Sequence, residues 1–296
     1  MRIAALPYAP QRCFLAKPGP SIKEWSAASQ LLSLPSDRKV LRCGDVAWLD
    51  PMPSFEECKA LYSEAYYTCR DAACPFSCIE GRQLEYFGHR VRRIAKRLGR
   101  KPESLLDIGA ASGFFVRAAR DQGIAAEGVE ISSWACEEAR RTHGIEIFEG
   151  DLLRDDLPLR SHYDVVVMNH VLEHLLDPLA YLDAIRTLLA PDGLLVIEIP
   201  QQFINPIDLI YRAAGHHRPY NLASLHHPYF YTASSALRLM EMGGFRAESL
   251  STWLPEQVFH LPNPAITLPL QGLLWLSDRV ARRGHIIEIF ATPEMA

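Results

Sequence analysis

Between residues 104 and 200, short apolar runs alternate with segments in which apolar residues return every three or four positions. That alternation predicts parallel strands joined by helical crossovers, an α/β doubly wound sheet. Strands are expected at 105–107, 126–131, 145–151, 163–168 and 194–199. The fourth is almost wholly apolar, as a central parallel strand covered on both faces must be. A long amphipathic helix is expected over 80–98, with Leu84, Phe87, Val91, Ile94 and Leu98 on one face and its arginines turned outward. Pro178 opens a second helix whose buried side carries Leu179, Leu182, Ile185 and Leu189. Ser54, followed by Glu56 and Glu57, predicts a short capped helix reaching Tyr62. Two late strands are expected at 245–253 and 285–292.

Outside this pattern the chain reads differently. Residues 1–78 show no clear sheet pattern and several prolines, which predicts an N-terminal cap preceding a main domain over 79–296. Residues 201–236 break the alternation with Asn205-Pro206, histidines and aromatics, the signature of an inserted lid. The apolar stretch 265–276 contains Pro269 and Gln271 and is too short to span a bilayer. A helix packed on the sheet is favoured there over a surface membrane contact helped by Arg279, Arg282 and Arg283.

Composition narrows the partners. A formal charge of −4 without long like-charge runs offers no stripe for phosphates, so a small molecule is expected rather than nucleic acid. The first residues, Met1 to Pro7, lack the apolar core and cleavage site of a signal peptide, which predicts a cytoplasmic protein. Seven cysteines then imply no disulfides. Cys69, Cys74 and Cys78 cluster, but their spacing supplies no paired knuckle, and no metal is expected. Oligomeric state leaves no trace in the sequence.

The candidate chemistry lies at strand ends. Asp107-Ile108-Gly109-Ala110-Ala111-Ser112-Gly113 is an acid followed by a small-residue turn into a helix, a turn that lets backbone approach a nucleoside closely. A carboxylate at Asp107 would repel pyrophosphate and attract a sulfonium amino acid's ammonium, so S-adenosylmethionine is favoured over a nicotinamide dinucleotide. Glu130 follows about 20 residues on, the spacing of an acid that accepts ribose hydroxyls. Asp151 closes the third strand, where it can accept from an adenine amino group. The fourth strand delivers Asn169-His170-Val171-Leu172-Glu173-His174 to the same sheet edge.

On these residues, together with Asp177-Pro178, Leu188-Leu189-Ala190-Pro191-Asp192-Gly193 and His226-His227-Pro228-Tyr229-Phe230-Tyr231, positions of about 80–250 resemble class I S-adenosylmethionine-dependent methyltransferases of the H-V-L-E-H subgroup. Ala111 departs from the glycine that many members carry. The resemblance implies a seven-stranded Rossmann-like sheet closed by an antiparallel pair of late strands. It also implies a cofactor site: Asp107, Gly109, Ala110, Ala111, Ser112, Gly113 and Phe115 from the turn, and Glu130, Ile131, Asp151, Leu152, Asn169 and His170 from later strand ends. His174 is the expected general base with Glu173 as its orienter or alternative, although both can equally pin the loop. Tyr66 and Tyr67, beside Tyr62, are expected to approach the acceptor, with His226, His227, Tyr229 and Tyr231 as pocket wall. Residues 40–51 resemble the second half of a zinc ribbon with Val46 in place of a cysteine, hence a ribbon without metal. O-methylation of a small metabolite, sugar or lipid-like intermediate is favoured over N- or C-methylation. A noncatalytic S-adenosylmethionine-binding protein and a nicotinamide oxidoreductase are the competing readings.

Overall fold

The computed structural model describes residues 21–26, 34, 36–68, 80–201, 227–253 and 286–294. The first part corrects the expectation of a cap without sheet. A two-residue strand β1 (Lys23–Glu24) pairs antiparallel with β2 (Lys39–Cys43), which pairs with β3 (Val46–Asp50) across a turn at Gly44-Asp45. Val46, Ala47, Trp48 and Leu49 are all buried, so both faces of β3 are covered and the period-two signal disappears. The expected short helix is α1 (Phe55–Leu61): the Ser54 hydroxyl accepts from the Glu57 amide at 3.2 Å and the Ser54 amide donates to the Glu57 carboxylate at 2.7 Å. A second short helix, α2 (Glu64–Thr68), carries the tyrosines.

The main sheet begins after α3 (Glu80–Leu98). In chain order it comprises β4 (Ser104–Ile108), α4 (Phe114–Arg120), β5 (Ala125–Glu130), α5 (Ser133–His143), β6 (Phe148–Glu149), β7 (Tyr163–Asn169), α6 (Pro178–Leu188) and β8 (Leu189–Pro200). These are followed by β9 (Tyr229–Tyr231), α7 (Ala233–Met242), β10 (Phe245–Trp253) and β11 (Ile286–Pro293). The seven-stranded order is β10-β11-β8-β7-β4-β5-β6. Strands β4 to β8 run parallel, whereas β11 is antiparallel to β8 and β10 to β11.

Alternation along the central strands builds a core on each face. Leu105, Val165, Val167 and Val196 pack with Val91, Ile94 and Phe115 on one side. Leu106, Val166, Met168 and Ile197 pack with Leu182, Ile185 and Leu239 on the other. Each such wholly buried side chain contributes roughly 1.5–3 kcal/mol, which is why the centre of the sheet is a stiff platform. The chain runs outward from β4 to β6, then returns to β7 on the other flank of β4. A crevice therefore opens at the carboxyl ends of β4 and β7, where open α/β sheets take their ligands.

Several boundaries differ from expectation. Only Phe148–Glu149 of the third expected strand joins the ladder, and β8 starts at Leu189, which pairs with Tyr163 before the register shifts. The expected lid ends early: β9 hydrogen-bonds to β3 and completes a second, four-stranded sheet, and Ala233 already belongs to α7. Arg90 does not face outward with its neighbours. It is 3% exposed and ion-paired to Glu198 at 2.5 Å and Glu288 at 3.4 Å, two acids on β8 and β11 that no local periodicity connects to it. No helix among the described residues is long and apolar enough to cross a membrane. Cys69, Cys74, Cys78 and the stretch 265–276 lie outside the described residues.

Candidate active site

The first wall of the crevice is the turn after β4. The Gly109 and Ala110 amides donate to the Val129 carbonyl at 2.8 and 3.0 Å, tying the turn to the end of β5. Gly109 has φ +73° and no room for a side chain, since a Cβ would stand 2.3 Å from Val171 Cγ2. Glycine thus lets the turn and the loop after β7 touch. Ala111 adopts φ +46°, a left-handed conformation that an alanine enters only under constraint. Ser112 is partly exposed beside it, and Gly113, at φ +80°, starts α4.

Three acids converge on this wall. Asp107 is 2% exposed, its Oδ1 has no hydrogen-bond partner, and burial pushes its pKa up to about 8 against the opposing pull of Arg90. Glu130 accepts from the Ala111 and Ser132 amides, both at 2.9 Å, and from the Tyr67 hydroxyl at 3.4 Å. Burial raises its pKa while those amides hold it down. Asp151 accepts from the Leu153 amide at 2.9 Å and from the Tyr181 hydroxyl, a partner on α6 that the sequence does not announce. Ile131 and Leu152, partly buried, flank the last two acids. At the end of β7, Asn169 Oδ1 is buried without a hydrogen bond.

The opposite wall is the loop after β7. His170 takes φ +53°, and its amide donates to the Glu198 carbonyl at 2.8 Å. Its Nδ1 lies 3.5 Å from Glu173 and its Nε2 3.1 Å from Glu198. Burial disfavours the charged ring, yet the two carboxylates outweigh it and raise the pKa to about 10, so His170 is an imidazolium at neutral pH. A single 3-10 turn (Leu172–His174) then buries Glu173 to 1% exposure and leaves neither of its carboxylate oxygens with a hydrogen bond. His174 Nε2 is 3.8 Å from Glu173 Oε1. Its ring meets His227 edge-on at 4.5 Å between centroids and Tyr62 at 5.9 Å.

Tyr62, Tyr66 and Tyr67 form a chain of edge contacts, and Tyr67 stacks on Trp134 at 5.3 Å. Through Tyr67 and Glu130 the N-terminal tyrosines reach the first wall; through Tyr62 they reach the second. Two expectations need revision, and a third is not covered. Phe115 is a core residue, 2% exposed and packed edge-on against Phe87. Tyr229 and Tyr231 are 2% and 0% exposed within the core between the sheets, because β9 is a strand of the second sheet rather than a pocket lining. His226 lies outside the described residues. Sequence reasoning missed Arg90, Tyr181 and Glu198; an acid in the otherwise apolar β8 was the available signal for the last of these.

Residues 79–250 match a family model described as a methyltransferase domain. A ubiquinone biosynthesis O-methyltransferase from Haemophilus ducreyi is 28% identical over 104 residues, covering 32% of this chain and 44% of that protein. The chain thus aligns with less than half the length of that curated relative. Among solved structures, Burkholderia thailandensis 1,6-didemethyltoxoflavin-N1-methyltransferase, with S-adenosylhomocysteine bound, superposes with a TM-score of 0.52 at 16% identity over 88% of this chain and 98% of that one. The plantazolicin methyltransferase BpumL gives 0.51 at 14% identity over 81% and 97%. At these identities the likeness is one of fold.

Proposed function

The chain belongs to this family of methyltransferase domains, and from that premise we propose that it uses S-adenosylmethionine to methylate a hydroxyl of a small-molecule acceptor. The observation that carries the reading is the convergence of Asp107, Glu130 and Asp151 at one sheet edge, with Asp107 buried and one of its oxygens unmet. A buried carboxylate with an open lone pair suits a ligand that brings its own ammonium. Glu130 and Asp151 suit ribose hydroxyls and an adenine amino group, and the positive-φ turn at 109–113 gives the backbone its close approach.

When bound, the cofactor supplies an electrophilic methyl group on sulfur. The chain's own residues then position the acceptor and deal with its proton. Glu173 and His174 are the pair assigned to that task. His170, held as a cation between Glu173 and Glu198, fixes the loop that carries them. Residues 1–78 form the cap and 79–296 the methyltransferase domain, with the acceptor enclosed between Tyr62, Tyr66 and Tyr67 on one side and His227 on the other. The O-methyltransferase relative supports a hydroxyl acceptor.

The test is turnover: purified protein is incubated with S-adenosylmethionine and a panel of phenols, sugars, amines and carbon acids, and S-adenosylhomocysteine is quantified. Product with the hydroxyl compounds is expected. Product confined to amines or carbon acids would overturn the acceptor assignment, and a protein that neither binds the cofactor nor forms product would overturn the whole reading.

A further inference from the structure

Glu173 is an anomaly in the acceptor wall. It is a carboxylate at 1% exposure, neither oxygen makes a hydrogen bond, and the groups gathered around it are imidazoles. One ligand-capable atom each of Glu173, His174 and His227 lie within 4.8 Å of one another. The two histidines come from different parts of the fold. His174 ends the 3-10 turn after β7, whereas His227 immediately precedes Pro228, whose carbonyl accepts from the Leu49 amide at 3.0 Å as the chain enters β9. The second sheet therefore places an imidazole against a loop of the first. The His227 backbone is anchored two residues before the β9–β3 pairing begins.

We infer that Glu173, His174 and His227 bind one divalent first-row transition-metal ion, with zinc, cobalt or iron the chemistry that two imidazoles and one carboxylate select. The inference rests on the reading of Glu173 and His174 as acceptor-side groups and specifies how they act. A four-coordinate ion at about 2.0–2.2 Å holds its ligands roughly 3.4 Å apart, so atoms lying within 4.8 Å of one another must close in by up to about 1.4 Å, a rotamer adjustment. The bound ion gives the buried Glu173 carboxylate a direct bond, which its longer contacts with His170 at 3.5 Å and His174 at 3.8 Å do not supply. Three protein ligands leave a position for an oxygen of the acceptor, as in catalytic rather than structural sites. On the ion an acceptor hydroxyl loses its proton to water at neutral pH: the O–H bond breaks, its electron pair stays on oxygen, and the metal-held oxyanion is the nucleophile. Neutral side chains of the cap alone offer no such stabilisation.

The experiment uses the tag-free full chain, stripped with a chelator and titrated with cobalt(II), while visible absorption and bound metal are followed. S-adenosylhomocysteine binding is measured calorimetrically on the same preparation. One cobalt per chain with a low-coordinate spectrum is expected, and His227→Ala and Glu173→Gln should each weaken it at least about 100-fold. His227→Ala should keep the S-adenosylhomocysteine affinity of the parent, which shows that the variant is folded. Absence of stoichiometric cobalt, or cobalt bound equally well by both variants, overturns the metal site while leaving the methyltransferase reading intact if S-adenosylhomocysteine still binds. Cobalt bound without S-adenosylhomocysteine would keep the site and remove the methyltransferase reading instead.

Discussion

The two walls of the crevice are assembled differently. Asp107, Glu130 and Asp151 come from one stretch of alternating strands and helices, and each acid stands at or beside the end of its own strand. Glu173, His174, His227 and Tyr62 come from a turn after β7, the approach to β9 and the end of α1. The first wall is a property of the doubly wound repeat itself, so every member of such a fold has strand ends there to use. The second depends on β9 joining β3, a pairing between residues far apart in the chain. In the proposed function the cofactor falls to the platform and the acceptor to the groups that the β3–β9 pairing brings to it.

The sharpest way to break that comparison is at His174. His174→Ala should lower the chemical step by roughly 10²–10⁴ in single-turnover measurements, with cofactor affinity within about twofold of the parent. A variant that turns over at full rate would remove His174 from the acceptor wall. Next in size is Arg90, which joins the two walls from behind through Glu198, itself paired with His170. Arg90→Met leaves Glu198 and Glu288 buried together, and a loss of about 3–5 kcal/mol is expected in denaturant unfolding. A loss below about 1 kcal/mol would show that the buried pairs are not coupled to the fold.

A smaller effect belongs to Asp107 and pH. Its folded pKa, raised by burial from 3.8 to about 8, means that the unliganded fold holds a proton there that the unfolded chain releases. That contribution to stability is present at low pH and fades as pH rises through about 8. A ligand ammonium favours the ionised form, so between pH 5.5 and 7.5 cofactor affinity should rise by up to about tenfold per pH unit, with proton release visible by calorimetry in buffers of differing ionisation enthalpy. Affinity that is flat over this window would contradict the pairing of Asp107 with an ammonium. The smallest effect is at Ala111, whose φ of +46° glycine adopts without strain. Ala111→Gly should stabilise by up to about 1 kcal/mol, part of the relief being offset by the freer unfolded chain. A loss in melting temperature would indicate that the alanine methyl is needed where it is.

How far the sequence could be read follows from the same contrast. The bounds of α3 and β10 were legible from periodicity, and the strand-end acids from their spacing, because both signals are local. β3 was not legible, since Val46 to Leu49 are buried on both faces and resemble no alternating strand. Nor was β9, three residues whose partner lies at the other end of the chain. Tyr229 and Tyr231 looked like pocket aromatics for that reason, and His227 could not be set beside His174 without knowing that pairing. Arg90 sits among exposed arginines on α3, and its burial is dictated by Glu198 and Glu288 on strands that periodicity reads as plain apolar ladder.

The separability of the two walls is tested most directly by calorimetric titration of S-adenosylmethionine into Glu130→Ala and His174→Ala beside the parent. Glu130→Ala, which deletes the acceptor assigned to the ribose hydroxyls, should weaken binding by about 1.5–3 kcal/mol, whereas His174→Ala should bind as the parent does. Equal affinity in Glu130→Ala and the parent, or a loss in His174→Ala as large as that in Glu130→Ala, would contradict the division of the crevice into a cofactor wall and an acceptor wall.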